Sequence, residues 1–124
     1  MPFQLSIDAS DVGVWAILEQ KDSSGGHPVA YFSKKLNEHQ RRYSTIEKET
    51  LALILALNHF DVFVSSNVGN LIVYSDHNPL KFLHKFRNKN QRLTRWSLLL
   101  QEYNLEIRHI KGKDNIIPDV LSRV

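Results

Sequence analysis

A chain of 124 residues, 42% hydrophobic and 23% charged, has the make-up of one ordinary globular domain that buries roughly two-thirds of its unfolded surface. The absence of cysteine removes disulfides, cysteine-ligated zinc and thiol catalysis together, and the longest purely apolar run, Leu51 to Leu57, is far short of the ~20 residues that span a bilayer. The net charge of +3 is mild, so any preference for a polyanion must come from where the charges sit.

The opening segment lacks the charged-then-apolar pattern of an export signal. Phe3 to Asp8 alternates apolar and polar, and Gly13 to Glu19 and Val29 to Phe32 are further β-rich runs, the last two separated by the turn signal Asp22-Ser-Ser-Gly-Gly26. These three predict an antiparallel meander. Ser44 to about Val64 is dense in Leu and Ala and free of Gly and Pro, which predicts one long buried helix. Leu71 to Ser75 follows as a short apolar strand, then helices over Leu80 to Phe86 and Gln91 to Tyr103, an alternating strand over Leu105 to Ile110 and a closing helix over Ile116 to Arg123. The expected architecture is α/β, a mixed five-stranded sheet flanked by helices, three antiparallel strands preceding alternating helix and strand.

Four acidic residues, Asp8, Glu49, Asp76 and Asp119, sit where these elements begin, end or turn a buried face. Carboxylates gathered from distant elements repel one another unless cations neutralise them, so a converging set reads as a cage for hard divalent metal. Each acid also has an ordinary explanation. Asp8 suits a turn after its strand, Asp76 suits a helix cap, and Asp119, just after Pro118, suits a helix start. Glu49 is more telling. Ser44-x-x-Glu47 forms a capping box that accounts for Glu47, which leaves Glu49 on a stripe with Ile46, Leu53, Ala56 and Phe60, where a carboxylate wants a partner. A solvated helix edge is the alternative for Glu49.

Between Asp76 and Glu102 there is no acidic residue, and Lys81, Lys85, Arg87, Lys89, Arg92 and Arg95 fall in that gap beside Phe82, Phe86 and Trp96. Such a stripe suits a phosphate backbone, because cations release its counterions and ring faces pack on sugars or bases. Its plain alternative is a solvated helix face with core aromatics.

Seven ordered runs then carry a resemblance: Asp8-Ala-Ser-Asp-Val-Gly13, His27-Pro-Val-Ala-Tyr-Phe-Ser33, Tyr43-Ser-Thr-Ile-Glu-Lys-Glu49, Ser75-Asp-His-Asn-Pro-Leu80, Arg92-Leu-Thr-Arg-Trp96, Gln101-Glu-Tyr103 and Gly112 through Asp119 to Arg123. Together they resemble the ribonuclease H domain of gypsy-type LTR-retrotransposon Pol polyproteins over essentially the whole chain. The resemblance implies the ribonuclease H-like fold for a single domain, residues 1–124, excised from a longer polyprotein with a polymerase domain. It implies hydrolysis of the RNA strand of an RNA–DNA hybrid during reverse transcription, with two Mg²⁺ ions, replaceable by Mn²⁺, held by Asp8, Glu49, Asp76 and Asp119 as catalytic residues. Lys81, Lys85, Arg87, Arg92 and Arg95 are the expected contacts to the nucleic-acid backbone. The implied setting is intracellular, in cytoplasmic virus-like particles with some nuclear presence, and away from membranes.

Many ribonucleases H carry a His in the loop before the last Asp. His109 lies ten residues ahead of Asp119, but the Gly112 and Asn115 landmarks place it at a strand end, so a surface or strand-end role is expected. Trp15 and Pro118 also depart from the family's usual small residues. The chain has no Tyr-x-Asp-Asp polymerase hairpin and no glycine-rich phosphate loop among its 5 Gly. The rival reading is a non-catalytic ribonuclease H-like tether or a host-recruited nucleic-acid-binding module, against which the retention of all four acids argues.

Overall fold

The computed structural model describes residues 3–65 and 71–109. The expected closing helix and Asp119 lie outside the described residues. Strands β1 (Phe3–Ala9) and β2 (Gly13–Asp22) pair antiparallel, with Leu5 opposite Leu18 and Asp8 opposite Trp15. Strand β3 (Gly25–Lys35) continues the meander against β2. The two-residue turn between them is held by Asp22 Oδ1, which accepts from the Ser24 N–H at 2.8 Å, and closes on Gly25 at φ +115, a backbone region that side chains disfavour. Strands β4 (Leu71–Ser75) and β5 (Leu105–His109) add in parallel, giving the order β3-β2-β1-β4-β5.

Alternation along the strands explains the core. Leu5, Ile7, Val14, Ala16, Leu18, Leu71 and Val73 form one apolar face, and α2 (Thr45–His59) lays Leu53, Ala56 and Leu57 upon it. Burying each such Leu contributes about 1.5–3 kcal/mol. Helices α4 (Pro79–Phe86) and α5 (Gln91–Leu100) complete the core with Leu83, Leu93, Trp96 and Leu100. Each begins on an Asn cap: Asn78 accepts from Lys81 N–H at 3.0 Å and Asn90 from Leu93 N–H at 2.9 Å.

The elements differ from the sequence expectation chiefly in four places, and β2 also runs on from Glu19 to Asp22. The long helix ends at Phe60 (φ −96, ψ 17), where the buried ring packs edge-on to Phe32, and a separate turn, α3 (Asp61–Val64), follows. Asn58 and Asp61 flank the break, and both residue types compete with the helical backbone for hydrogen bonds. Strand β3 extends well beyond Val29 to Phe32, because Pro28, which removes a ladder donor, is tolerated on an edge strand, and the pairing shifts there from Leu18–Ala30 to Glu19–Pro28. Helix α5 stops at Leu100 so that the chain can reverse into β5, with the Tyr103 N–H donating to the Leu100 carbonyl. A short helix α1 (Glu38–Arg41), opened by an Asn37–Gln40 capping box, precedes α2.

Candidate functional site

Three elements deliver three carboxylates to one end of the sheet. Asp8 lies near the end of β1, Asp76 directly follows β4, and Glu49 projects from α2. Because β1 and β4 are adjacent and parallel, their carboxyl ends emerge side by side, and α2 crosses the same sheet. One oxygen from each of Asp8, Glu49 and Asp76 lies within 4.8 Å of the other two. Asp119, expected to join them, lies outside the described residues.

The ordinary explanations for these acids are taken up by neighbouring residues. The β1–β2 turn is held by Ser10, whose hydroxyl accepts from the Val12 and Gly13 N–H groups at 3.2 Å each, while Asp8 Oδ1 accepts from the Ala9 N–H at 2.9 Å. The cap of α4 is Asn78 and not Asp76. The α2 capping box is Ser44 with Glu47, at 3.3 and 3.1 Å, a register that turns Glu49 inward, 2% exposed.

Electrostatics in the cluster are unfavourable without a counter-charge. Burial pushes the Glu49 carboxyl up to about 8, and the charges of Asp8 and Asp76 add to that, while hydrogen bonds from the Ser75 hydroxyl and the Asp76 N–H work the other way. Ser75 donates to Glu49 Oε1 at 3.0 Å and is itself fully buried. Ser75 is not among the site residues expected from sequence; its signal is a polar residue in the inward row Leu71, Val73, Ser75 of β4. Among the described residues, Asp76 Oδ1 is buried with no hydrogen-bond partner, as is His77 Nδ1 beside it. A buried carboxylate oxygen left unpaired is costly. With three hard oxygen donors converging, the set fits a hard divalent cation. Clefts of about 320 Å³ between α4, α5 and β5, and about 350 Å³ between α3, the start of β4 and the turn before β5, contain none of these acids. The cluster lies apart from both.

The basic residues divide into two groups. Lys81, Lys85, Arg87 and Arg95 are exposed on α4, the turn after it and α5, with Lys85 above the Phe86 ring at 5.3 Å and Arg87 folded back on the His84 carbonyl at 3.1 Å. Arg92 is engaged within the protein. Its guanidinium lies over Tyr43 at 4.1 Å and Trp96 at 5.5 Å and pairs with Glu47. That contact fastens the start of α5 to the start of α2. His109 is exposed at the end of β5, paired in register with Ser75.

Residues 1–103 match the family described as an RNase H-like domain found in reverse transcriptase. The chain is 42% identical over 123 residues to the retrovirus-related Pol polyprotein from transposon opus of Drosophila melanogaster, covering 99% of this chain and 12% of that protein. It is 40% identical to the transposon Tf2-3 polyprotein of Schizosaccharomyces pombe, covering 97% of this chain and 9% of that one. The chain thus spans about a tenth of the length of these relatives. Among solved structures, a foamy viral protease-reverse transcriptase in complex with RNA/DNA hybrid superposes with a TM-score of 0.72 at 18% identity, covering 90% of this chain and 15% of that one. LC11-RNase H1 in complex with RNA/DNA hybrid superposes at 0.65 with 17% identity, covering 96% and 92%. The five-stranded mixed sheet is therefore the ribonuclease H-like fold, and by its family match and its polyprotein relatives this chain belongs to the RNase H-like domains of reverse transcriptases.

Proposed function

We propose that this chain is a divalent-metal-dependent endoribonuclease that hydrolyses the RNA strand of RNA–DNA hybrids, acting within a longer reverse transcriptase polypeptide. The observation that carries the reading is the convergence of Asp8, Glu49 and Asp76 within 4.8 Å, with a buried oxygen of Asp76 left unpartnered among the described residues. A structural role would not gather like charges and leave one unsatisfied. In this reading Asp8, Glu49 and Asp76, with Asp119, would hold Mg²⁺ or Mn²⁺, which would supply Lewis-acid activation of water and charge neutralisation at the scissile phosphate.

The protein's own groups have separate tasks. Ser75 holds the Glu49 carboxylate in one orientation through its hydroxyl, and the Asp76 N–H steadies the same group. Lys81, Lys85, Arg87 and Arg95 meet the phosphate backbone, while Arg92 supports them from inside by fixing α5. Preference for a hybrid comes from groove shape and 2′-hydroxyl contacts, which gives little base specificity. The polymerase domain of the parent chain raises the local concentration of hybrid at this site, in cytoplasmic particles where reverse transcription proceeds.

The test is incubation with a hybrid labelled on either strand, with Mg²⁺, with Mn²⁺ and with EDTA. The expected products are RNA fragments with 5′-phosphate and 3′-hydroxyl ends, DNA and single-stranded RNA being spared. Hybrid RNA that stays intact at high protein concentration with either metal would replace this reading with a non-catalytic tether.

A further inference from the structure

Lys48 is 6% exposed, unusual for a residue whose ammonium is expensive to remove from water. It occupies the first turn of α2, one residue before Glu49, and its Nζ donates to the Asp11 main-chain carbonyl at 3.3 Å. The Asp11 carboxylate lies 3.6 Å away and is fully solvent-exposed, so it contributes little. The main-chain contact is the shielded one. Asp11 belongs to the β1–β2 turn, which is stiffened by the Ser10 N–H donating to the Gly13 carbonyl at 2.8 Å and by the Ser10 hydroxyl contacts. Asp8 lies three residues before Asp11. Lys48 therefore bridges the two elements that carry Asp8 and Glu49.

We propose that Lys48 is a positioning residue, a strut that sets the spacing of Asp8 and Glu49 before a cation arrives. The inference rests on the cation-binding reading of the cluster. Without the strut, the crowding of like charge at the cluster drives the β1–β2 turn away from α2, with Glu49 adding its own charge once it ionises. A purely electrostatic role for the ammonium has the opposite sign: removing a positive charge from beside the cluster would tighten cation binding. The direction of the effect separates the two.

The test uses Lys48→Met, which keeps the stem and removes the donor, Lys48→Arg, which keeps a donor, and Asp11→Asn, which keeps the carbonyl acceptor. Amide hydrogen exchange across residues 9–13 of the metal-free protein and Mn²⁺ binding by electron paramagnetic resonance are the readouts, neither of which requires cleavage. Lys48→Met is expected to speed exchange over that turn and weaken Mn²⁺ binding, each about tenfold, the low end for a hydrogen bond to a charged group. Lys48→Arg and Asp11→Asn should stay within about twofold of the parent, well under the tenfold step that such a bond is worth. Tighter Mn²⁺ binding in Lys48→Met, or unchanged exchange over 9–13 in the folded variant, overturns the strut. If Lys48→Met does not fold, the same readings on the shorter Lys48→Gln decide. A parent protein that binds Mn²⁺ but leaves hybrid intact defeats the nuclease reading and not this one.

Discussion

Replacing Glu49 with Gln is expected to stabilise the metal-free protein, although it removes the most buried acid of the cluster. The folded-state pKa, raised from 4.5 to about 8, means that the folded chain keeps a proton that the unfolded chain releases. Stability therefore falls as pH rises from about 4.5 and levels off above about 8, and near pH 7 the accumulated cost is roughly 3 kcal/mol. Gln retains an acceptor for the Ser75 hydroxyl and the Asp76 N–H and has no proton to lose. In thermal unfolding with EDTA at pH 7, Glu49→Gln should melt about 5–10 °C above the parent, allowing for partial relaxation of the site. The gap should close near pH 4. Glu47 shapes the acid limb in the other direction: burial opposes its charge, but Ser44 and Arg92 outweigh burial and hold its pKa low, so its contribution is lost as pH falls below about 4.5. Added Mn²⁺ should reverse the order, since only the parent has the full ligand set. A Glu49→Gln variant that is less stable at pH 7, or a gap that does not change with pH, would refute the claim that this carboxylate is held against its own charge.

Asp76→Asn should abolish hybrid cleavage while leaving the melting temperature equal or higher, because it relieves repulsion at a site where Asn78 does the capping; a large loss of stability by circular dichroism would point to a structural role. Glu47→Gln weakens both the capping box and the Arg92 pair, so it should cost about 1–2 kcal/mol in urea unfolding with cleavage little changed. Arg95→Ala should weaken hybrid binding and lower the slope of log K against log salt by nearly one. Arg92→Ala should instead lower the melting temperature and leave that slope nearly unaltered, and a slope change as large as that of Arg95→Ala would return Arg92 to the substrate surface.

Much of the fold was legible because alternation and helical density are local signals: the three-stranded meander, the parallel strand at Leu71 and the capped start of α2 all follow from spacing. What was not legible depends on neighbours distant in sequence. The end of α2 at Phe60 answers to the Phe32 ring across the core, and the length of β3 depends on its being an edge strand, which Pro28 alone does not reveal. The same holds at the candidate site. The capping box singles out Glu49 over Glu47 from sequence, but the donation from Ser75, the buried Lys48 contact to Asp11 and the engagement of Arg92 by Glu47 and two rings are all long-range. Arg92 shows the limit best: in composition it is one more cation in a basic stripe, and only packing separates it from Arg95.

The parallel pairing of β1 with β4 has a kinetic consequence. The β1–β2–β3 meander and α2 are built from near-neighbour contacts, whereas Leu5 and Val73 meet only after a closure of more than sixty residues, the kind of contact that forms late when loop entropy governs the order of events. On that order of events Asp8 and Asp76 are expected to be still apart at the folding barrier, so that their mutual repulsion is felt on the native side of it. Neutralising either Glu49 or Asp76 should leave the refolding rate nearly unchanged and slow unfolding, so that the gain appears in the lifetime of the native state. A cation that enters after closure would act on the same limb of the chevron, lengthening the lifetime of the native state.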